Sequence, residues 1–219
     1  MQIHNLSETN SVLNSFTSQI RNVAIQNDRL RFRRNIERIG EILSYEMSKT
    51  FQFENQNITT PLGDKSIAVA INEVVICSIL RAGLPLHIGV MNYLDSAESA
   101  FISAYRKHKA NSVDFEIKIE YVACPNLENK TLVLVDPMLA TGQSLVNTYN
   151  AITKFGYPEV LHIVSVIGAK EGVTYVEKNL PESTHLWIAD IDETLNDKGY
   201  IVPGLGDAGD LAFGEKLQK

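Results

Sequence analysis

The stretch Leu132-Val133-Leu134-Val135-Asp136-Pro137-Met138-Leu139-Ala140-Thr141-Gly142-Gln143-Ser144 decides how the chain is read. A short apolar run ends in a carboxylate, crosses a loop and enters a helix expected over 144–155. An apolar run of this length, closed by a turn, fits a fully buried strand. A carboxylate at the C-terminal end of a parallel strand faces the crevice where open α/β sheets bind ligands. Thr141, Gly142, Gln143 and Ser144 would present backbone N–H groups at a helix N-terminus, where unpaired amides and the helix dipole favour an anion. Thr141 and Ser144 add hydroxyl donors. An ordinary strand–loop–helix with Ser144 as N-cap accounts for the same residues, and physics alone leaves both readings standing.

On either side, short β-branched or apolar runs alternate with amphipathic stretches. Strands are expected at 74–79, 100–104, 131–135, 160–167 and 185–188, with helices near 84–94, 144–155 and 171–179. Alternation of this kind specifies an α/β fold with a mainly parallel twisted sheet flanked by helices. Residues 11–50 read as helix, with apolar residues from Phe32 to Leu43 recurring at spacings of three and four. They form an N-terminal helical segment within residues 1–60. The arginines between Arg29 and Arg38 mostly occupy its other face, as a solvated surface or a subunit or phosphate contact. Two segments break the rhythm. Residues 105–123 alternate strictly, as in Asp114-Phe115-Glu116-Ile117-Lys118-Ile119-Glu120-Tyr121, which predicts a flexible, half-exposed β-hairpin projecting from the sheet. Residues 199–210 hold four glycines and a proline in twelve positions, a loop shaped by its backbone. With no repeat or linker, a single domain over 1–219 is expected.

Composition excludes several classes. The chain has 219 residues and a net charge of -6, against the basic surplus of a nucleic-acid binder. Cys77 and Cys124 are too few for a disulfide framework or a zinc cluster. Cys77 sits in an apolar run and is expected to be a buried thiol, while Cys124 is the candidate for exposure. No run approaches the roughly 18 apolar residues that span a bilayer, so no membrane partner and a cytoplasmic location are expected. The five histidines are scattered and read as surface or packing residues rather than metal ligands. Gly204-Leu205-Gly206-Asp207-Ala208-Gly209 formally fits a dinucleotide fingerprint, but the ten residues after Gly209 cannot supply its helix, second strand and acidic ligand.

Val135 to Ser144 resembles the binding signature for 5-phosphoribosyl-1-pyrophosphate (PRPP) of uracil phosphoribosyltransferases, in which Pro137 stands where most other type I phosphoribosyltransferases have a second acid. Ile79-Leu80-Arg81-Ala82-Gly83-Leu84 is similar to the family's pyrophosphate loop, and Tyr105-Arg106 to the base of its flexible hairpin. Gly199 to Asp210 is similar to its uracil-recognition loop, with Asp192-Glu193 and Leu195-Asn196 in register upstream. The resemblance runs from about Phe32 to Gly214.

It implies a type I phosphoribosyltransferase fold and transfer of phosphoribosyl from PRPP to uracil, giving UMP and pyrophosphate. Arg81 and Arg106 would grip the pyrophosphate, their planar forks suiting paired phosphate oxygens. Asp136 would hold the ribose hydroxyls, and Pro137, Met138, Leu139, Ala140, Thr141, Gly142, Gln143 and Ser144 the 5-phosphate. Tyr200, Ile201, Gly206 and Ala208 would read uracil largely through backbone groups, with Ala140 and Asp207 close to the base. Asp207 would also reach PRPP through water on a Mg²⁺ ion that PRPP carries, with no direct metal ligand in the chain. Arg81, Arg106, Asp136 and Asp207 are thus the catalytic set. GTP is implied as a possible effector, and a homodimer or larger homo-oligomer as the assembly. Gln143 replaces a common glycine, Lys107 a usual acid and Leu211 a common arginine, which puts loop geometry, hairpin dynamics and regulation in question. A catalytically silent sensor of UMP or PRPP on the same fold is the alternative. Retention of Arg81, Asp136 and Asp207 argues against it.

Overall fold

The computed structural model describes residues 1–108 and 115–217, and gives only the backbone for 104–108 and 115–119. In chain order the elements are β1 (Gln2–Asn5), α1 (Leu13–Arg21), α2 (Arg29–Ser48), β2 (Phe53–Thr60), β3 (Gly63–Ala70), β4 (Val74–Leu80), α3 (Gly83–Met91), β5 (Glu98–His108) and β6 (Phe115–Ala123). Then come β7 (Thr131–Val135), β8 (Met138–Leu139), α4 (Gln143–Ile152), β9 (Val160–Ala169), α5 (Lys170–Asn179), β10 (His185–Asp192), β11 (Thr194–Leu195), β12 (Ile201–Val202) and α6 (Ala208–Phe213).

The main sheet runs β1-β10-β9-β7-β4-β5-β6, with β8 added to β9. Every pairing is parallel except β5 with β6. Its inner strands are apolar on both faces because helices cover both, the sequence mark of a parallel sheet. Alternation sorts the side chains. Val74, Ile76, Val133, Val135 and Val164 join one core beneath α1, α2 and α3. Val75, Cys77, Leu132, Leu134 and Ile163 join the other beneath α4 and α5. Helices α2 and α3 cross with backbones nearly touching, since a Cβ on Gly89 would lie 2.1 Å from the Glu37 carbonyl oxygen. Cys77 is fully buried as expected, which pushes its thiol pKa up to about 12, and Cys124 is half-buried.

Three expectations need correction. The helix expected over 11–50 is two helices, because Asn22 folds back on the Ala24 amide and Asp28 caps α2 by accepting from the Arg31 amide. The N-terminal segment 1–60 is not helical throughout, since Gln2–Asn5 and Phe53–Thr60 are strands. β2 pairs antiparallel with β3 as a separate ribbon whose two faces are both bare, so no buried side imposed a legible period. The scattered histidines also gather: β1 lies in register with β10, stacking His4 on Trp187 with ring centroids 3.7 Å apart and bringing His4 Nε2 within 3.3 Å of His185 Nδ1. Trp187 Nε1 donates to His162 Nδ1. The hairpin expected at 105–123 is present as β5 and β6, and its tip, with Lys109 and Asp114, lies outside the described residues. No described helix is long and apolar enough to cross a membrane.

Candidate active site

β4 leads through α3 to β5 on one side of the sheet, whereas β7, β9 and β10 lie successively on the other. α3 packs on one face and α4 on the opposite face. The chain therefore reverses its winding between β4 and β7, and the loops leaving their C-terminal ends part to open a crevice. Residues 81–82 and 136–142 form these loops. Their roots approach closely at Gly83, where a Cβ would meet the Val135 carbonyl oxygen at 3.0 Å and Ser78 Oγ at 2.7 Å.

Asp136 stands at the end of β7, as expected, with its carboxylate half-buried. Its backbone extends the sheet: its amide donates to the Val164 carbonyl, and Ser165 Oγ donates to the Asp136 carbonyl at 2.7 Å. The Pro137 carbonyl accepts from the amides of both Val166 and Ile167. Having no N–H, proline leaves no orphan donor at this buried turn. Met138 and Leu139 are not free loop but a two-residue strand on β9. Pro137, Leu139, Ala140 and Gly142 are buried, so these positions offer the crevice peptide groups rather than side chains.

α4 then begins without a side-chain cap, because the N-cap is Gly142 and not Ser144. Gly142 has a φ of +76°, a conformation that only glycine adopts without strain. That settles the question raised by Gln143, which is the first helical residue and needs no positive φ. The loop is braced from behind by α5. A Cβ on Gly172 would fall 2.1 Å from the Ala140 carbonyl oxygen, and one on Gly142 would fall 2.8 Å from the Gly172 carbonyl oxygen. An uncapped, glycine-shaped helix start of ten residues is suited to an anion, worth about 0.3–1 kcal/mol from the dipole where exposed and up to about 2 where partly buried.

The tail supplies the third wall. β11 and β12 form a small hairpin, and α6 starts at Ala208, so residues 199–210 are more ordered than a loop shaped only by glycines. Gly204 and Gly206 have φ of +59° and +94°. Ile201, Leu205 and Ala208 are buried, while Tyr200 and Gly206 are exposed. The Gly206 peptide makes no hydrogen bond among the described residues. Asp207 caps α6, accepting from the Asp210 amide at 3.0 Å, and pairs with Lys216 Nζ at 3.2 Å. Burial alone would raise its pKa. The amides of Asp210 and Gly209 and the charge of Lys216 outweigh burial and hold it below the ordinary carboxylate value.

Arg81 joins the two regions, donating to Asp210 Oδ1 at 2.7 Å and to the Gly214 carbonyl at 3.1 Å. A Cβ on Gly209 would be 3.2 Å from both Arg81 Nη2 and Asp207 Oδ1. A cleft of about 340 Å³ opens on the tail loop, lined by Gln26, Arg29, Leu205, Gly206, Asp207 and Glu215 among others, and does not reach 136–144. Arg106 lies on β5 opposite Ile117, and its side chain is outside the described residues.

The model of the family described as uracil phosphoribosyltransferase matches residues 7–215. The chain belongs to the uracil phosphoribosyltransferase family. The uracil phosphoribosyltransferase of Porphyromonas gingivalis is 50% identical over 217 residues, covering 99% of this chain and all of the relative. That of Methanococcus vannielii is 39% identical over 220 residues, covering 99% of this chain and 91% of the relative. Among solved structures, the AQ2163 protein from Aquifex aeolicus superposes with a TM-score of 0.86 at 30% identity, over 99% of this chain and 100% of that one. A hypoxanthine phosphoribosyltransferase from Staphylococcus aureus reaches a TM-score of 0.51 at 15% identity, covering 85% and 84%. That likeness concerns the fold alone, the type I phosphoribosyltransferase fold that the uracil phosphoribosyltransferase family shares.

Sequence reading missed the residues that hold the tail in this uracil phosphoribosyltransferase fold. Arg21 and Gln26 reach it from the end of α1 and the turn after it, and Asp190 of β10 holds the Arg21 guanidinium in place. The Asn22 to Asp28 turn was the available signal, since a helix broken there ends in a cation at Arg21. Arg33 of α2 also donates to the Ala212 carbonyl, so the arginine face is not merely solvated.

Proposed function

We propose that this chain, acting as one domain, transfers the 5-phosphoribosyl group of PRPP to uracil, giving UMP and pyrophosphate. The observation that carries the reading is Asp136 at the switch point followed directly by the uncapped, Gly142-shaped start of α4. A ribose diol suits the carboxylate, and within residues 137–144 a 5-phosphate suits the amides and hydroxyls at 141–144. Arg81, with Arg106, binds the pyrophosphate, exchanging its Asp210 partner for phosphate oxygens. As the C1–oxygen bond to pyrophosphate breaks, the anomeric carbon gains oxocarbenium character, and Asp136 and Asp207 stabilise it electrostatically. The uracil ring nitrogen bonds to C1 from the opposite face and loses its proton. Tyr200, Ile201, Gly206, Ala208 and Ala140 hold the base, with the open Gly206 peptide matching uracil's carbonyl and N–H edge. The hairpin keeps water from PRPP.

Mg²⁺ enters with PRPP and supplies charge neutralisation to the leaving group. Among the described residues no three His, Cys, Asp or Glu side chains gather as a ligand set, and both Asp207 oxygens already have donors. This donor set fits a metal brought by the substrate and reached through water. We place the reaction in the cytoplasm, where phosphorylated substrates are held, and the chain in a homo-oligomer. The ribbon β2–β3 supports assembly, because Ile58, Ile67 and Val69 share one of its faces and the first two are 40% and 44% exposed. A lone two-stranded ribbon is marginal in water.

The test is UMP formation from uracil and Mg²⁺–PRPP, comparing wild type with Asp136→Asn, each with and without GTP. Mg²⁺-dependent UMP falling at least about 100-fold in the variant supports both activity and site, and a faster rate with GTP establishes the effector. Folded protein that binds PRPP yet makes no UMP overturns the enzyme reading in favour of a sensor.

A further inference from the structure

We infer that Arg21, with Asp192 and Gln26, is the positioning group that sets uracil affinity by holding the peptides of Gly204 and Leu205. The inference rests on the proposed role of residues 200–208 in reading the base. Arg21 Nη1 donates to Asp192 Oδ2 at 2.8 Å and to the Gly204 carbonyl at 3.0 Å. The same Asp192 oxygen accepts from the Gly204 amide at 3.2 Å. One ion pair therefore grips both polar groups of a single glycine. Arg21 Nη2 binds Asp190 Oδ2 at 2.8 Å, which fixes the plane of the guanidinium. Gln26 Nε2, tied to the Ile20 carbonyl at 2.9 Å, donates to the Leu205 carbonyl at 3.0 Å.

The Gly204 amide and the carbonyls of Gly204 and Leu205 are thus held from behind, whereas the Gly206 peptide is left open. The Arg21 and Asp192 side chains are only 18% and 9% exposed, so this pair is not a solvated surface bridge. Recognition through backbone groups leaves no rotamer to adjust, so the base edge is read only as well as the backbone is held. Gly204 sits at φ +59°, and a Cβ there would collide with the Ile201 carbonyl oxygen at 2.2 Å. Lysine at position 21 keeps a charge but cannot span two carboxylates and a carbonyl at once. None of these groups is attached to the loops at 81–82 or 136–144, so their effect should fall on uracil rather than PRPP.

The experiment compares steady-state kinetics of wild type, Arg21→Lys, Asp192→Asn and Gln26→Leu, together with PRPP affinity by calorimetry and melting temperature. Expected is a rise in KM for uracil of about tenfold in Arg21→Lys and about threefold in Gln26→Leu. The KM and Kd for PRPP and the kcat at saturating uracil should stay within about twofold. Asp192→Asn, which keeps an oxygen for the Gly204 amide or for Arg21 but not the ion pair, should fall between them. Gln26→Leu leaves the ion pair intact, so it keeps the question open to decision if the Arg21 variant does not fold. If wild type forms UMP and folded variants keep the wild-type KM for uracil, or lose PRPP affinity equally, the inference is overturned while the proposed function stands. If wild type forms no UMP, the proposed function fails and the inference falls with it.

Discussion

Replacing Gly172 with alanine sets helix propensity against geometry. Gly172 is the third residue of α5, and alanine in a helix interior is worth roughly 1 kcal/mol over glycine. Local reasoning therefore predicts a more stable protein. The new Cβ, however, would stand 2.1 Å from the Ala140 carbonyl oxygen and 2.9 Å from that of Leu139, where ordinary contact begins at 3.4 Å. The overlap with Ala140 is about 1.3 Å, and both atoms facing the Cβ belong to backbone, so no rotamer change relieves it. Either α5 or residues 139–142 must shift by about 1 Å, at a packing cost of about 1–3 kcal/mol. A misplacement of that size in a positioning element costs about 100-fold in rate. The assay is kcat/KM for PRPP in UMP formation, with melting temperature measured on the same samples. A folded Gly172→Ala protein with at least about a 30-fold loss is expected. A variant within threefold of wild type and equally or more heat-stable would refute the claim that α5 braces residues 139–142 for their proposed role.

Arg81→Lys removes the fork that now spans Asp210 and the Gly214 carbonyl, and should raise the KM for PRPP by about tenfold or more, read by steady-state kinetics. His162 is buried, and burial first, then the His185 and His4 charges, push its pKa down to about 3. The unfolded chain takes up this proton near pH 6.5 while the folded chain resists, so stability is full above 6.5 and is lost as pH falls toward 3. His162→Gln, which keeps an acceptor for Trp187 Nε1, should flatten urea-derived stability across that window, where one group contributes a slope of at most about 1.4 kcal/mol per pH unit. Asp207 has a lowered pKa, so its stabilisation is present above the ordinary carboxylate value and is lost as pH falls through the lower folded one. Asp207→Asn should shrink the acid loss of stability below pH 4 in the same titration. Ile58→Lys with Ile67→Lys should lower the sedimentation mass of the proposed homo-oligomer while leaving the near-ultraviolet circular dichroism of the packed aromatic side chains intact.

The parts of this fold that burial dictates were legible. β4, β7, β9 and β10 are each mostly apolar and buried along most of their length because helices cover both faces of the sheet. Asp136 at the end of its strand, with a loop and a helix after it, could be placed from the residues alone, whereas the short strand at Met138–Leu139 and the helix start at Gln143 rather than Ser144 could not. What escaped was set by distance along the chain or by absence of burial. The β2–β3 ribbon buries neither face, so nothing imposed a period of two on Phe53–Thr60. β1 has four mostly polar residues and exists only through its register with β10, the same pairing that collects His4, His162 and His185. The grip of Arg21 on Gly204 spans 183 positions, and an arginine closing a helix announces nothing about a glycine so far downstream.

The bare ribbon also serves as a gauge. Its amides are hydrogen-bonded only between its own two strands, whereas those of β4 and β7 lie in the middle of the sheet. Hydrogen exchange of an element opens locally at the free energy that its own contacts set, independent of global unfolding. If copies of the chain associate through this ribbon as proposed, exchange across Phe53–Ala70 should slow as protein concentration rises, while the central strands keep one rate throughout. Peptide-resolved exchange at two dilutions would then locate the assembly contact as well as detect it.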